Sequence, residues 1–147
     1  MYDDILVPTD GSPAATTAIE HAVSLAETYD ATIHALYVVD ASAFSSIESG
    51  SELVIDALES EGQRAVEEVV DAAETAGVEI ETHVVSGTAY RRILDYVDSE
   101  GVDLVVMGTH GRSGVERFLL GSVTERVVRT ADVPVLTIRQ KDEEEEE

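Results

Sequence analysis

The stretch Ile5-Leu6-Val7-Pro8-Thr9-Asp10-Gly11-Ser12-Pro13 decides the fold class of this chain. A short apolar run stopped by Pro8 and the turn residues Asp10 and Gly11 reads as a buried strand. Ser12 and Pro13 then read as the N-cap and first position of a helix. A serine oxygen can accept a first-turn N–H, and proline has no N–H to waste there. The helix runs to about Tyr29, with Ile19, Ala22, Val23 and Ala26 on one face. Thr32–Val39 follows as a strand whose near-continuous apolar character suits cover on both faces.

The same alternation continues to the end. Asp40–Gly50 is Ser-rich and aperiodic, long for a connection in a compact domain, and so a candidate for a ligand or partner role. A helix spans about Ser51–Ala76, with Val54, Leu58, Val66, Val69, Val70 and Ala73 as its buried stripe. Gly62 reads as a weak point in it, and Gly77 closes it. Val78–Val85 reads as a strand, then Thr88–Glu100 as a helix with Ile93, Leu94 and Val97 inward. Gly101 ends that helix and Val102–Met107 is the next strand. A glycine-containing connection, Thr109–Leu120, leads to a helix at Ser122–Thr130 and a last strand at Val133–Arg139.

Five strands alternating with four helices predict a single-domain, three-layer α/β sandwich. Right-handed crossovers make its sheet mostly parallel. The domain is expected over residues 1–140, with 141–147 as a disordered acidic tail. Such sheets bind ligands at the carboxyl ends of strands, where the strand order reverses. That places the candidate loops at Pro8–Ser12, Val39–Gly50 and Gly108–Ser122.

Composition narrows the function classes. Apolar residues make up 44% of the 147, enough for a globular core. The absence of cysteine removes disulfide scaffolds, thiolate metal sites and cysteine nucleophiles. The N-terminus lacks signal-peptide character, and no apolar run approaches the roughly 18 residues of a membrane span. The expectation is a soluble cytoplasmic protein.

Charge is the unusual quantity. Thirty-one acids against nine Lys+Arg give −22, of which Lys141–Glu147 supplies −5. The remaining −17 is spread along the chain, so nucleic acid and anionic membranes are not expected partners. Lys141 is the only lysine. Many acids with almost no lysine resembles the proteins of salt-loving organisms. Screening explains why, since the Debye length falls from about 10 Å at 0.1 M salt to about 3 Å at 1 M. An ordinary acidic protein with an acidic tail is the alternative.

Several motifs are missing. No phosphate-loop G-x-x-x-x-G-K-[ST], no G-x-G-x-x-G after the first strand and no G-x-S-x-G elbow occurs. His21, His34, His83 and His110 lack metal-ligand spacing, and the first three read as structural. What is present is Gly108-Thr109-His110-Gly111-Arg112-Ser113-Gly114, followed by Gly121-Ser122 opening a helix. Glycines let backbone N–H groups approach an oxyanion, and a helix N-terminus adds free donors. The arginines 112, 117, 126 and 129 oppose only Glu116 and Glu125 in residues 108–130, a net +2 that also fits an anion. Two plainer readings stand beside this one. Ser122-Val123-Thr124-Glu125 is a capping box, so Ser122 could simply cap its helix. The arginines could simply pair with nearby carboxylates.

These residues resemble the universal stress protein family, in its nucleotide-binding subgroup. The resemblance runs from Ile5 to Arg139 through residues 5–12, 37–40, 105–112, 121–125 and 133–139. The family's signature spacing G-x2-G-x9-G-[ST] is intact at Gly108, Gly111, Gly121 and Ser122. The resemblance implies a Rossmann-like sheet of order 3-2-1-4-5 and an ATP-binding protein of the stress response. Pro8, Thr9 and Asp10 would line the adenosine end, and the Val38 backbone would meet the adenine. Met107 and Gly108 would pack near the ribose. Gly111, Arg112, Ser113 and Gly114, with Gly121, Ser122, Val123 and Thr124, would hold the phosphates. Asp10 has a plainer role as a turn-former. Mg or Mn would arrive on the triphosphate, and a homodimer would form through the strand at 133–139. ATP would act as a conformational signal, since only His110 and Asp10 near the site could serve as a base. Slow hydrolysis or self-phosphorylation stays open, as does the identity of any downstream partner. The rivals are a dimeric scaffold without nucleotide and an ATP-consuming ligase or pyrophosphatase of a related α/β fold. The second wants an S-G-G-x-D-S-type loop, which residues 8–12 do not supply.

Overall fold

A computed structural model describes residues 1–40, 51–109 and 121–139. Its strands are β1 (Asp4–Pro8), β2 (Thr32–Val39), β3 (Ile80–Ser86), β4 (Leu104–Gly108) and β5 (Val135–Ile138). They form one sheet in the order β3-β2-β1-β4-β5. Every pairing is parallel, with Leu6 opposite His34 and Val105, and Val105 opposite Val135. The helices are α1 (Pro13–Tyr29), α2 (Ser51–Ala76), α3 (Ala89–Glu100) and α4 (Ser122–Thr130).

Alternation along β1 divides the core between the two faces. Ile5 and Val7 join Ala18, Ile19, Ala22, Val66, Val69 and Ala73 of α1 and α2. Leu6 joins Leu36, Ile93, Val97, Val105, Met107 and Val127 on the side of α3 and α4. The chain is thus three layers deep, as a parallel sheet with both faces buried requires. Ser12 caps α1 as expected, its Oγ accepting from the Ala15 N–H at 3.3 Å, with Pro13 at the first helical position.

Several boundaries move inward from the sequence reading, each for a hydrogen-bonding reason. β3 begins at Ile80 rather than Val78, because the Val78 N–H turns back to the Ala73 carbonyl and finishes α2. β4 begins at Leu104 rather than Val102, whose N–H closes α3 on Val97. β5 begins at Val135, since Pro134 has no N–H to donate and serves only as acceptor for Val105. α3 begins at Ala89. Its N-cap Thr88 makes no side-chain cap bond, and the Asp40 carboxylate at the end of β2 accepts the Ala89 N–H instead, at 3.0 Å.

The buried stripe of α2 is correct at Val66, Val69 and Ala73. Leu58 packs partly buried, and the Val54 side chain lies outside the described atoms. Gly62 is not a weak point but a close approach. A Cβ there would sit 2.6 Å from Cδ1 of the Tyr37 ring, so α2 needs a hydrogen at this position to lie on β2. The tail at 141–147 and the loop at 41–50 lie outside the described residues.

Candidate functional site

The strand order reverses at β1, which has β2 on one side and β4 on the other. The crevice beyond the carboxyl ends of β1 and β4 is therefore the place where an open parallel sheet takes a ligand. Three segments meet there.

The first is Pro8-Thr9-Asp10-Gly11-Ser12. Thr9 is buried, and its N–H donates to the Leu36 carbonyl of β2 at 2.9 Å. Its Oγ1 accepts the Gly11 N–H at 3.1 Å, and the Asp10 Oδ1 accepts the Ser12 N–H at 2.9 Å. These bonds tie the turn, and Gly11 takes φ +79°, a conformation that favours glycine. Asp10 is thus a turn-former, as its plainer reading held.

The second and third segments are the end of β4 and the start of α4. Gly108 lies against α1, where an added Cβ would stand 2.9 Å from the Ala14 Cβ. Glycine at 108 therefore serves close packing of α1 on β4, whatever else it admits. Beyond it, the Thr109 N–H donates to the Ile138 carbonyl, and the Gly121 N–H donates to the Thr109 carbonyl at 2.7 Å. The buried Thr124 hydroxyl donates to the Gly108 carbonyl at 2.9 Å. Two bonds thus pin the first turn of α4 to the end of β4 across a gap of thirteen positions in sequence.

The capping-box reading of Ser122 is overturned. Gly121 is the N-cap of α4, without a side-chain cap bond, and Ser122 is the first helical residue with its side chain exposed. The first intrahelical bond runs from the Glu125 N–H to the Gly121 carbonyl. The helix therefore leaves the N–H groups of Ser122, Val123 and Thr124 without an intrahelical acceptor, beside an exposed hydroxyl. That arrangement can bind an oxyanion. The Gly121 N–H and the Thr124 proton, in contrast, are already engaged.

Val38 of β2 and Met107 of β4 lie on the α3–α4 side of the sheet, Met107 buried and Val38 partly so. The structure therefore brings Pro8, Thr9, Asp10, Met107, Gly108 and Gly121–Thr124 to one end of the sheet. Gly111, Arg112, Ser113 and Gly114 lie outside the described residues, as does His110.

The local positive charge is redistributed. Arg129 pairs with Glu125 on its own helix at 2.9 Å. The Arg126 guanidinium carbon lies 4.6 Å from the centre of the Tyr90 ring on α3. The plainer reading, pairing with a carboxylate, is right for Arg129 but not for Arg126, which lies over an aromatic ring, and Arg112 and Arg117 lie outside the described residues.

His34 is structural. It is 3% exposed, with Nε2 at 2.9 Å from Asp4 Oδ1 and Nδ1 at 2.6 Å from the Tyr96 hydroxyl. Burial, with the Glu81, Glu100 and Asp4 charges nearby, pushes the Tyr96 phenol well above its usual range, so it stays a donor. The Asp4 carboxylate can only accept, so the Nε2–H donates to it, and Nδ1 pairs with the Tyr96 hydroxyl. His83 Nε2 is buried with no hydrogen bond, its nearest acid being Glu81 at 3.8 Å. Among the described residues no group of three or more His, Asp or Glu side chains could hold a metal ion. No helix among them is long and apolar enough to cross a membrane.

Asp40 was missed as a positioning residue. Its bond to Ala89 spans forty-nine positions, and no local signal in the sequence marks it.

Comparison with known proteins supports one lineage. The sequence model of the Universal stress protein family matches residues 1–139. Universal stress protein MJ0531 of Methanocaldococcus jannaschii is 41% identical over 98% of this chain and 86% of its own length. The structure of protein MJ0577, also from Methanocaldococcus jannaschii, superposes with a TM-score of 0.86 at 31% identity. It covers 97% of this chain and 99% of its own. A universal stress protein solved in complex with cAMP gives a TM-score of 0.68 at 26% identity, over 95% of this chain and 98% of its own.

Proposed function

This chain belongs to the universal stress protein family, and we propose that it binds ATP in the crevice over β1 and β4 as a conformational signal in a stress response. The observation that carries the reading is the pinning of α4 to the end of β4. It holds the N–H groups of Ser122 and Val123, which have no intrahelical acceptor, and the Ser122 hydroxyl at the switch point of the sheet. The complex of a relative with cAMP supports a nucleotide as the ligand class.

In this reading Pro8, Thr9 and Asp10 face the adenosine, the Val38 backbone meets the adenine, and Met107 and Gly108 lie by the ribose. Gly111, Arg112, Ser113 and Gly114, with Gly121, Ser122, Val123 and Thr124, hold the phosphates. Thr124 acts chiefly by holding Gly108, its proton being engaged there. Mg or Mn rides on the phosphates, where a triphosphate supplies its own oxygens. The protein works in the cytoplasm of a salt-loving cell, as a homodimer joined through 133–139.

The first test is to denature the purified protein and identify any nucleotide released. Calorimetry with ATP and adenosine then assigns the phosphate contacts. Arg112→Ala is expected to weaken ATP by about tenfold to a hundredfold, the worth of one charge-assisted hydrogen bond, and adenosine little. Equal losses would mean that Arg112 acts through folding. A folded wild type that neither carries nor binds ATP would leave the scaffold reading in its place.

A further inference from the structure

Among the described residues, arginines gather where α3 meets α4. Arg91 and Arg92 sit in the first turn of α3, and Arg126 sits one turn into α4. Arg91 and Arg126 gather on one side chain. The Arg91 Nε donates to the Tyr90 hydroxyl at 3.1 Å, and the Arg91 guanidinium carbon is 5.7 Å from the ring centre. The Arg126 guanidinium carbon is 4.6 Å from the same centre. Arg92 lays its stem along Gly87, at the carboxyl end of β3. Among the described residues none of the three has a carboxylate within ion-pair distance. In a chain with 31 acids and nine cations, three cations in one place with no carboxylate partner among the described residues need an account. The Tyr90 phenol registers the field, held below its usual range first by the Arg91 hydrogen bond and then by both guanidinium charges.

We propose that this arginine–tyrosine surface at the α3–α4 junction is a docking site for the acidic run Asp142–Glu147 of the same chain. Charge complementarity selects the occupant, because those six consecutive acids are the densest anionic run in the sequence. Reach permits it. β5 ends at Ile138, at the same end of the parallel sheet from which α3 starts, and α4 packs between α3 and β5. The eight residues from 140 onward can span up to about 27 Å, while packed elements lie about 10 Å apart. Among the described residues Arg91 spends only its Nε on Tyr90, and its terminal amino groups form a fork that fits carboxylates. Tethering supplies an effective concentration in the millimolar range, which lets individually weak exposed pairs act together. The docked state belongs to low ionic strength and is released in molar salt.

The absence of cysteine makes the test direct. Glu147→Cys carries a single nitroxide, and amide signals of the isotope-labelled, nucleotide-free protein report its distance. At 0.1 M KCl the amides of Tyr90, Arg91, Arg92 and Arg126 are expected to broaden selectively. That broadening is expected to be lost at 2 M KCl and in the double variant Arg91→Gln with Arg126→Gln. Exposed positions make these substitutions safe for folding, and replacing the four remaining tail glutamates, 143–146, by glutamine provides a second variant that leaves the body untouched. It too should abolish the effect. Uniform or absent broadening, or broadening that survives either variant, overturns the proposal. So does an effect seen only when spin-labelled and isotope-labelled chains are mixed, which would assign the tail to another copy. Nothing in this experiment depends on ATP, so its failure leaves the nucleotide reading unaffected.

Discussion

At Gly108 two demands meet. The glycine spacing marks it as a residue that admits an oxyanion, and the packing shows that it also admits α1, with Ala14 at 2.9 Å from any added Cβ. Gly108→Ala is therefore expected to destabilise the protein without ligand by about 1–3 kcal/mol, the range for overpacking. Adding Ala14→Gly should recover part of that loss, less the roughly 1 kcal/mol cost of glycine in a helix. Urea unfolding of both variants checks this. Recovery to the level of Ala14→Gly alone would locate the clash at Ala14, and the ATP affinity of the double variant would then report ligand access by itself. If the double variant is no more stable than Gly108→Ala, the Ala14 side chain does not explain the glycine, and only the α1 backbone at Ala14 is left to do so. Gly62 carries the same lesson. In sequence it is a poor helix former, and only the Tyr37 ring shows why nothing larger fits.

At the scale of elements, α4 and β5 separate role from appearance. The start of α4 looks like a capping box, yet the helix begins one residue earlier than such a box needs, with Gly121 at the N-cap. Ser122→Ala is then expected to change stability by no more than about 0.5 kcal/mol, where loss of a true cap costs about 1. ATP affinity should nevertheless fall by about tenfold or more, if the hydroxyl meets a phosphate. Thermal unfolding without ligand and calorimetry with it separate the two. A stability loss near 1 kcal/mol would restore the cap. β5 is an edge strand with Leu136 38% exposed, and Pro134 just before it cannot donate to a ladder. Leu136→Lys is expected to convert a homodimer to monomer or aggregate. Light scattering in high salt decides it, and a monomeric wild type ends the dimer reading.

For the whole molecule, a formal charge of −22 on 147 residues sets the dependence on medium. Self-repulsion is poorly screened at 0.1 M salt and mostly removed at molar salt. The Tm is expected to rise markedly from 0.1 to 2 M KCl, measured beside sodium sulfate, which also strengthens apolar burial. A flat or falling Tm in KCl would make the acidic composition incidental. The element order, the helix starts at Ser12-Pro13 and the two-sided burial of the central strands were legible in the chain alone. They follow from local periodicity, turn chemistry and caps, which act over a few residues. The strand order came from family resemblance, not from any local pattern, and the pairing registers then placed β1 at the switch point. The rest depended on contacts between residues far apart in sequence. Asp40 caps α3 from forty-nine positions away, Thr124 holds Gly108 from sixteen, and His34 bonds Tyr96 from sixty-two. No local pattern encodes such pairs, because each exists only after the parallel strands have paired and the helices have packed on them. Tertiary structure alone therefore decided that the Gly121 N–H and the Thr124 hydroxyl at the start of α4 are spent on the end of β4.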